Sequence, residues 1–303
     1  MTASNEARSA HAPAFLATCW TSAGDVVPGR TAASSPVPIE ERVAAVASAG
    51  YTGFGISAPD LEQVRDTIGY AGLKRLLDSA DIRDVELEYL ENWWTAGERR
   101  RESDRTRAVL LEAASALGAR HIKVGLGDRQ FQNDETRFPA EFERLAADAQ
   151  AHGTRVAFEP PALSMMSTIA PAAELVRRVA HPAGGLLVDI WHVVRSGMHF
   201  DELRSVLPPE YLFAAELSDG DLDVVGELFD DTFDRRLLPG EGRFDVPAFV
   251  TTLRALGFNG PWGLEIMSTA QRALPVSAAV NNAIRAAERV FGQVDGADRN
   301  SAY

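Results

Sequence analysis

The chain has 303 residues, of which 46% are hydrophobic and 24% are charged, and its formal net charge is −13. This composition is typical of a globular protein with a large core, and the negative charge disfavours nucleic acid as a partner. The single cysteine, Cys19, excludes an internal disulfide. Because the sequence contains neither a signal-like segment nor a run of about 18 apolar residues, we expect a cytoplasmic protein with no membrane partner.

Short apolar segments alternate with longer amphipathic segments along the chain. The apolar segments predict strands at 14–20, 51–57, 84–90, 121–124, 155–158, 185–190, 212–217 and 262–267. The amphipathic segments predict helices at 39–50, 60–79, 99–117, 140–152, 170–180, 200–207, 245–256 and 276–291. The second of these helices is expected to break at Gly69 or Gly72, and 23–38 is expected to be a loop.

Strict alternation of strands and helices predicts a parallel sheet with right-handed crossovers. Eight such units in a chain of this length favour a single (β/α)8 TIM barrel of the α/β class. We expect the barrel to span 14–292, between a flexible N-terminus at 1–13 and a flexible C-terminal tail at 293–303. Neither a GxGxxG motif after the first strand nor a P-loop is present, so the usual nucleotide signatures are absent.

Acidic residues end four consecutive predicted strands. They are Glu159, Asp189, Glu216 and Glu265. Active sites of such barrels lie at the C-terminal ends of the strands. Carboxylates buried side by side repel one another, and a divalent cation with a preference for hard oxygen ligands, Mg²⁺ or Mn²⁺, would offset that repulsion. The alternative is that one or two of these acids form ion pairs or lie at the solvated rim.

Further polar and aromatic residues near strand ends are candidates for substrate binding. They are Trp20, Lys123, Trp191, His192, Arg235 and Arg236. Tryptophan suits the apolar faces of sugars, and arginine suits a phosphate or carboxylate. For each residue a structural role is also open: Lys123, for example, could reach the surface or pair with a core acid. At least one of Glu86, Glu88 and Glu91 is expected to face the barrel mouth, but the sequence does not tell which.

Several motifs in the second half of the chain resemble those of the xylose isomerase-like TIM barrel superfamily, in its sugar phosphate isomerase/epimerase branch. The motifs are Phe158-Glu159-Pro160, Asp189-Ile190-Trp191-His192, Glu216-Leu217-Ser218-Asp219, Leu238-Pro239-Gly240-Glu241-Gly242 and Gly263-Leu264-Glu265. The resemblance extends from Phe15 to about Phe291. It implies that Glu159, Asp189 and Glu265 bind a metal and that His192 contacts the substrate.

Two positions depart from the pattern of that superfamily. Glu216 stands where a histidine ligand is usual, so that Glu216 is either the fourth ligand or marks a shifted metal. Pro161 replaces a lysine found in true xylose isomerases, which argues against that activity.

The resemblance favours a metal-dependent isomerase or epimerase of a small sugar-like substrate, with Glu159 and Glu265 as acid and base. The alternative is a lyase: a dehydratase of a dehydroshikimate-like substrate or a deglycosidase of a 3-keto-glycoside. A zinc endonuclease is less favoured because the chain has only six histidines. A non-catalytic binding protein would not need aligned acids. A homo-oligomer or a partner subunit remains open.

Overall fold

The chain, represented by a computed structural model, folds around a closed barrel of parallel strands in the order of the sequence. The structure describes residues 12–31, 34–127 and 135–301. The strands are β1 Phe15–Ala17, β2 Gly53–Ser57, β3 Asp84–Leu90, β4 His121–Val124, β5 Val156–Phe158, β6 Gly184–Asp189, β7 Leu212–Leu217 and β8 Trp262–Leu264. The predicted (β/α)8 barrel is confirmed.

Helices surround the strands and cover their outward apolar side chains. They are α1 Cys19–Ser22, α2 Ile39–Ala49, α3 Ala58–Asp66, α4 Gly69–Ser79, α5 Gly97–Leu117, α6 Phe138–Ala151, α7 Ile169–Val179, α8 Ile190–Arg195, α9 Phe200–Val206, α10 Leu228–Asp234, α11 Val246–Ala255, α12 Thr269–Arg272 and α13 Val276–Ser301. No helix of the described residues has the length and apolar character needed to cross a membrane.

The structure differs from the sequence prediction at several element boundaries. The helix predicted at 60–79 is two helices that meet at Gly69, whose φ of 67° lies in the left-handed region open to glycine. The first strand is shorter than predicted, because the chain turns into α1 directly after Thr18. Helix α10 lies between the strand predicted at 212–217 and the helix predicted at 245–256, where no helix was predicted, and α13 continues to Ser301, beyond the predicted barrel boundary. The N-terminus at 1–11 lies outside the described residues.

Strand register determines which side chains share the C-terminal end of the barrel. Asp189 of β6 lies opposite Glu216 of β7, which in turn lies opposite Gly263 of β8. A Cβ atom at Gly263 would lie 2.7 Å from Cγ of Glu216. The absence of a side chain at this position therefore leaves the space that the Glu216 side chain occupies.

Candidate active site

Four buried carboxylates from consecutive strands meet at the C-terminal end of the barrel. Each contributes an oxygen atom that lies within 4.8 Å of the others, and the residues are Glu159, Asp189, Glu216 and Glu265. Asp189 is the last residue of β6 and Glu216 lies within β7, whereas Glu159 and Glu265 directly follow β5 and β8. The structure thus brings together the four acids that the sequence singled out.

The side chain of Lys123, in β4, ends in the middle of these carboxylates. Its Nζ donates to the two oxygens of Glu216 at 3.0 and 2.9 Å and to Oε1 of Glu265 at 2.6 Å. It also lies 3.5 Å from Oε1 of Glu159 and 3.7 Å from Oε2 of Glu88. Of the roles left open by the sequence, the structure therefore shows pairing with core acids.

Arg236 supplies a second buried cation next to the first. Its Nη1 donates to Oδ2 of Asp189 at 2.7 Å, and its Nη2 lies 2.9 Å from Oε2 of Glu265. The guanidinium also lies over the ring of Trp191, 5.2 Å from its centroid. Arg236 is 1% exposed, so its orientation is fixed by these three neighbours.

Glu88 is a fifth carboxylate that faces the same space. Its Oε1 accepts a hydrogen bond from the backbone N–H of Cys19 at 2.9 Å, whereas its Oε2 has no hydrogen-bond partner among the described residues. Glu86, on the same face of β3, is buried and lies 2.6 Å from Nε2 of His121. We call the seven central residues the charged floor: Glu88, Lys123, Glu159, Asp189, Glu216, Arg236 and Glu265.

His192 borders the charged floor with a neutral imidazole. Its Nδ1 accepts a hydrogen bond from the N–H of Ala162 at 3.2 Å, which assigns the ring proton to Nε2. That Nε2 lies 3.5 Å from Oε1 of Glu159 and 3.6 Å from Oδ2 of Asp189. Burial, together with the charge of Arg236, holds the pKa of His192 well below its usual range.

Three carboxylates of the charged floor, Glu88, Glu159 and Glu216, resist ionisation. Burial, opposed in part by Lys123, raises the pKa of Glu159 to about 8 and that of Glu88 to about 7. Burial and repulsion by Glu265 raise the pKa of Glu216 well above its usual range. Although burial by itself lowers the pKa of Lys123, the surrounding carboxylates raise it overall, so its amine stays protonated. Five carboxylates thus face two cations, and the excess negative charge requires protons or another cation.

The donor set fits a hard divalent cation. Glu159, Asp189, Glu216 and Glu265 offer only carboxylate oxygens, which Mg²⁺ and Mn²⁺ prefer. Oε1 of Glu159 is buried and has no hydrogen-bond partner among the described residues. The excess charge and this unpartnered oxygen are both features that a bound cation would resolve.

A cavity of about 940 Å³ opens directly above the charged floor. Glu159, Glu265, Lys123 and Arg236 line its base, whereas Asp189 and Glu216 lie beneath the lining. Its walls include the apolar side chains of Trp20, Val26, Val27, Phe229, Phe233 and Met267. A volume of this size suits a small organic molecule, with its polar groups directed to the base.

One side of the cavity mouth is formed by α10 and the loop after α1. Arg30 forms ion pairs with Asp230 and Asp234, and its guanidinium lies 4.9 Å from the ring centroid of Phe229. Arg272 also pairs with Asp234, at 2.6 Å. We call Arg30, Phe229, Asp230 and Asp234 the rim.

The structure does not place every predicted substrate-binding residue at the cavity. Trp191 is fully buried behind Arg236 and donates from its Nε1 to Thr232 at 3.3 Å, so it supports Arg236 from behind. Arg235 points outward, with 48% of its side chain exposed and Asp221 and Asp231 at 4.0 Å. Trp20, His192, Lys123 and Arg236 do line the cavity.

The roles of Asp219 and Glu88 could not be read from the sequence motifs. Asp219 accepts hydrogen bonds from the N–H groups of Gly220, Gly240 and Phe244 at 2.8–2.9 Å, so it fixes the loop after β7 and does not face the cavity. Glu88 belongs to the charged floor but could not be chosen over Glu86 and Glu91 from the sequence. The period of two along β3 places Glu86 and Glu88 on one face, which was the available signal.

Comparison with known proteins defines the family. The sequence profile described as "Xylose isomerase-like TIM barrel" matches residues 43–288, most of the chain. The chain belongs to this family. Its eight-stranded barrel and the resemblance noted in its motifs agree with that membership.

The relatives of the chain that have known activities are enzymes. A 3-dehydroshikimate dehydratase of Pseudomonas putida is 25% identical over 254 residues, which cover 78% of this chain and 37% of the dehydratase. An inosose isomerase of Bacillus velezensis is 22% identical over 191 residues, which cover 61% of this chain and 66% of the isomerase. The chain therefore spans little more than a third of the length of the first relative.

A solved structure shares the fold over its whole length. The IOLI protein with a bound zinc atom superposes with a TM-score of 0.80 at 16% identity, covering 93% of this chain and 99% of that one. At this identity the likeness concerns the fold alone.

Proposed function

We propose that the protein is a metal-dependent enzyme that removes a proton from the carbon next to a carbonyl in a small keto-sugar or related cyclic ketone. The observation that carries the proposal is the cluster of four carboxylate oxygens within 4.8 Å of one another beneath a cavity of about 940 Å³. Isomerisation or epimerisation is the leading outcome. Similarity to an inosose isomerase supports it.

The proposed metal is Mn²⁺ or Mg²⁺, held by Glu159, Asp189, Glu216 and Glu265. A divalent ion at these ligands would polarise a substrate carbonyl and lower the pKa of the adjacent C–H. Zinc is the metal bound by the IOLI protein. Here Glu216 gives the cluster oxygen donors alone, which favours the harder ions.

Within this proposal, Glu159 carries the proton. It lines the cavity, its Oε1 has no hydrogen-bond partner among the described residues, and its pKa is raised to about 8. A carboxylate with these properties accepts a proton more readily at neutral pH than an ordinary glutamate. The neutral His192, whose Nε2 lies 3.5 Å from Oε1 of Glu159, borders the cavity and is placed to bind a substrate oxygen.

Glu265 occupies a different environment from Glu159. One of its oxygens lies 2.6 Å from Lys123 and the other 2.9 Å from Arg236. We propose that Glu265 is the second acid–base group, and that it acts only when substrate displaces one of these contacts.

The second candidate is β-elimination from the same ketone. It shares the first proton removal, after which a hydroxyl or an alkoxy group leaves. The similarity to a 3-dehydroshikimate dehydratase favours this outcome for a dehydroshikimate-like substrate. A 3-keto-glycoside is the other substrate of this class.

Proton NMR in D₂O tests the proposal. The substrates are ketoses, inososes, 3-keto-glycosides and 3-dehydroshikimate, and each is measured with Mn²⁺ present and again after its removal. An isomerase or epimerase incorporates solvent deuterium at the carbon next to the carbonyl. A lyase instead yields an unsaturated ketone with release of water or an alcohol. A substrate that is turned over with this C–H bond intact, or with full rate after exhaustive chelation, would refute the proposed chemistry.

A further inference from the structure

Lys123 lies among the residues of the proposed metal site. Its ammonium lies within 3.5 Å of three of the four proposed metal ligands, Glu159, Glu216 and Glu265. Two of these, Glu216 and Glu265, accept hydrogen bonds from it. A divalent cation bound to the same oxygens would lie next to this positive charge.

Lys123 has no route to another partner. Its side chain is 2% exposed, and all of its ion-pair partners belong to the charged floor. The chain has only one other lysine, Lys74, which lies on the surface and pairs with Asp78. The ammonium of Lys123 therefore stays within reach of the carboxylates whether or not a metal is bound.

The ammonium of Lys123 and a divalent cation bound to the same carboxylates repel each other. In a buried site this repulsion is screened little by solvent, so a fixed ammonium next to the ion weakens metal binding. In the absence of metal, the same ammonium offsets part of the repulsion among the carboxylates. One side chain thus acts in opposite directions on the metal-free and metal-bound proteins.

We propose that Lys123 is an internal competitor of the divalent cation. It holds the carboxylates of the charged floor together in the metal-free protein and keeps the affinity for the metal low, so that the ion exchanges readily. This inference rests on the proposed metal site, and it makes Lys123 a positioning residue for the ligands Glu216 and Glu265.

Lysine-selective ¹⁵N labelling tests the proposal in the unaltered protein. The side-chain spectrum contains two ammonium signals, from Lys123 and Lys74. Titration with Mg²⁺ is expected to shift the Lys123 signal, because the ion takes over its carboxylate partners, and to leave the Lys74 signal in place. Metal binding without a change in the Lys123 signal would overturn the proposal.

Calorimetric titration with Mn²⁺ of Lys123→Gln and of the matched control Lys74→Gln gives the second test. Removal of the buried charge is expected to tighten Mn²⁺ binding by about tenfold or more, whereas Lys74→Gln leaves it unchanged. The metal-free Lys123→Gln variant is expected to melt at a lower temperature than the wild type and to recover on addition of Mn²⁺. Lys123→Arg, which keeps the charge, is expected to bind Mn²⁺ as weakly as the wild type.

The outcomes separate this inference from the proposed function. Equal Mn²⁺ affinity in the wild type and in Lys123→Gln would refute competition and leave the metal site standing. Absence of Mn²⁺ binding in both folded proteins would refute the metal site, and the inference with it. If Lys123→Gln does not fold, the Mg²⁺ titration of the wild-type lysine signals decides.

Discussion

The charged floor and the rim both use arginine–aspartate pairs, but in opposite environments. On the floor, the side chains of Arg236 and Asp189 are 1% and 0% exposed. At the rim, those of Arg30 and Asp230 are 33% and 59% exposed. Water screens the rim pair, whereas the floor pair has only the protein to stabilise its charges. The same chemical contact is therefore expected to shape reactivity at the floor and to contribute little at the rim.

The largest effect is expected from Glu159→Gln, which removes the proposed proton carrier from the floor. General acid–base catalysis contributes about 10²–10⁴-fold in rate, so kcat should fall by at least that range once a substrate is known. Steady-state kinetics and circular dichroism together check this. Glu98→Gln, an exposed residue of α5, is the matched control and should keep full activity. A Glu159→Gln variant with full activity would show that Glu159 of the charged floor does not carry the proton.

Arg236→Met should cause the largest loss of stability. It leaves Asp189 and Glu265 buried without the guanidinium, and breaking a buried pair in this way costs about 3–5 kcal/mol. Urea unfolding followed by circular dichroism measures the change. A loss below about 1 kcal/mol, the value of an exposed pair, would show that floor and rim do not differ as described.

Gly263→Ala should destabilise the protein by crowding the side chain of Glu216 in the charged floor. The added methyl group would lie 2.7 Å from Cγ of Glu216, and overpacking of this kind costs about 1–3 kcal/mol. Gly292→Ala is the control, because a Cβ there has no neighbour within 4 Å and the residue lies within α13. That control should be neutral or slightly stabilising. Equal stability of the two variants would mean that Glu216 moves aside freely.

The metal-free protein should lose stability as the pH rises. Glu159 and Glu88 have pKa values raised to about 8 and about 7, above the value of about 4.3 for an unfolded chain. Between these pKa values the folded protein holds protons that the unfolded chain has lost. The stability that these protons contribute is full below about pH 4 and is lost as the pH rises to about 8. The slope is at most about 1.4 kcal/mol per pH unit for each carboxyl. Melting curves from pH 5 to about 9 with and without Mn²⁺ measure it. A metal-free protein that gains stability over this range would contradict the raised pKa values.

Arg30→Met should have the smallest effect, about 0.2–1 kcal/mol, because its aspartate partners are solvated. The same urea titration used for Arg236→Met measures it, and high salt should reduce the difference from the wild type. A loss of stability as large as that of Arg236→Met would show that the ion pairs of the rim stabilise the fold as much as those of the charged floor.

The sequence predicted the barrel because its signal is repeated. Eight alternations of apolar and amphipathic segments agree with one another, so errors at single boundaries, such as the break at Gly69, do not alter the architecture. The acids at the strand ends were found for a related reason. The C-terminal ends of the parallel strands of a barrel lie together, so the sequence alone grouped Glu159, Asp189, Glu216 and Glu265.

Contacts that depend on long-range geometry could not be predicted in this way. Arg236, which lies just after α10, reaches Asp189 across 47 positions of the sequence. Arg235, its neighbour, carries the same charge but points outward. Arg235 forms an isolated backbone bridge with Ser268, a long-range contact that no local pattern reveals. Similarly, Lys123 lies in a strand of four residues, too short for its alternation to show which face is inward.

The seam between β1 and β8 closes the barrel and has a consequence for folding. The hydroxyl of Thr21 donates to the carbonyl of Leu264 at 2.7 Å and accepts from the N–H of Ile266 at 2.9 Å, so it clamps the residues on either side of Glu265. Glu265 meets Lys123 across 142 positions. During synthesis Glu265 emerges after Lys123, and until the seam closes it remains hydrated, because no pocket yet surrounds it. Because Thr21 bonds to both Leu264 and Ile266, we expect amide exchange at these two residues to report the opening of this seam.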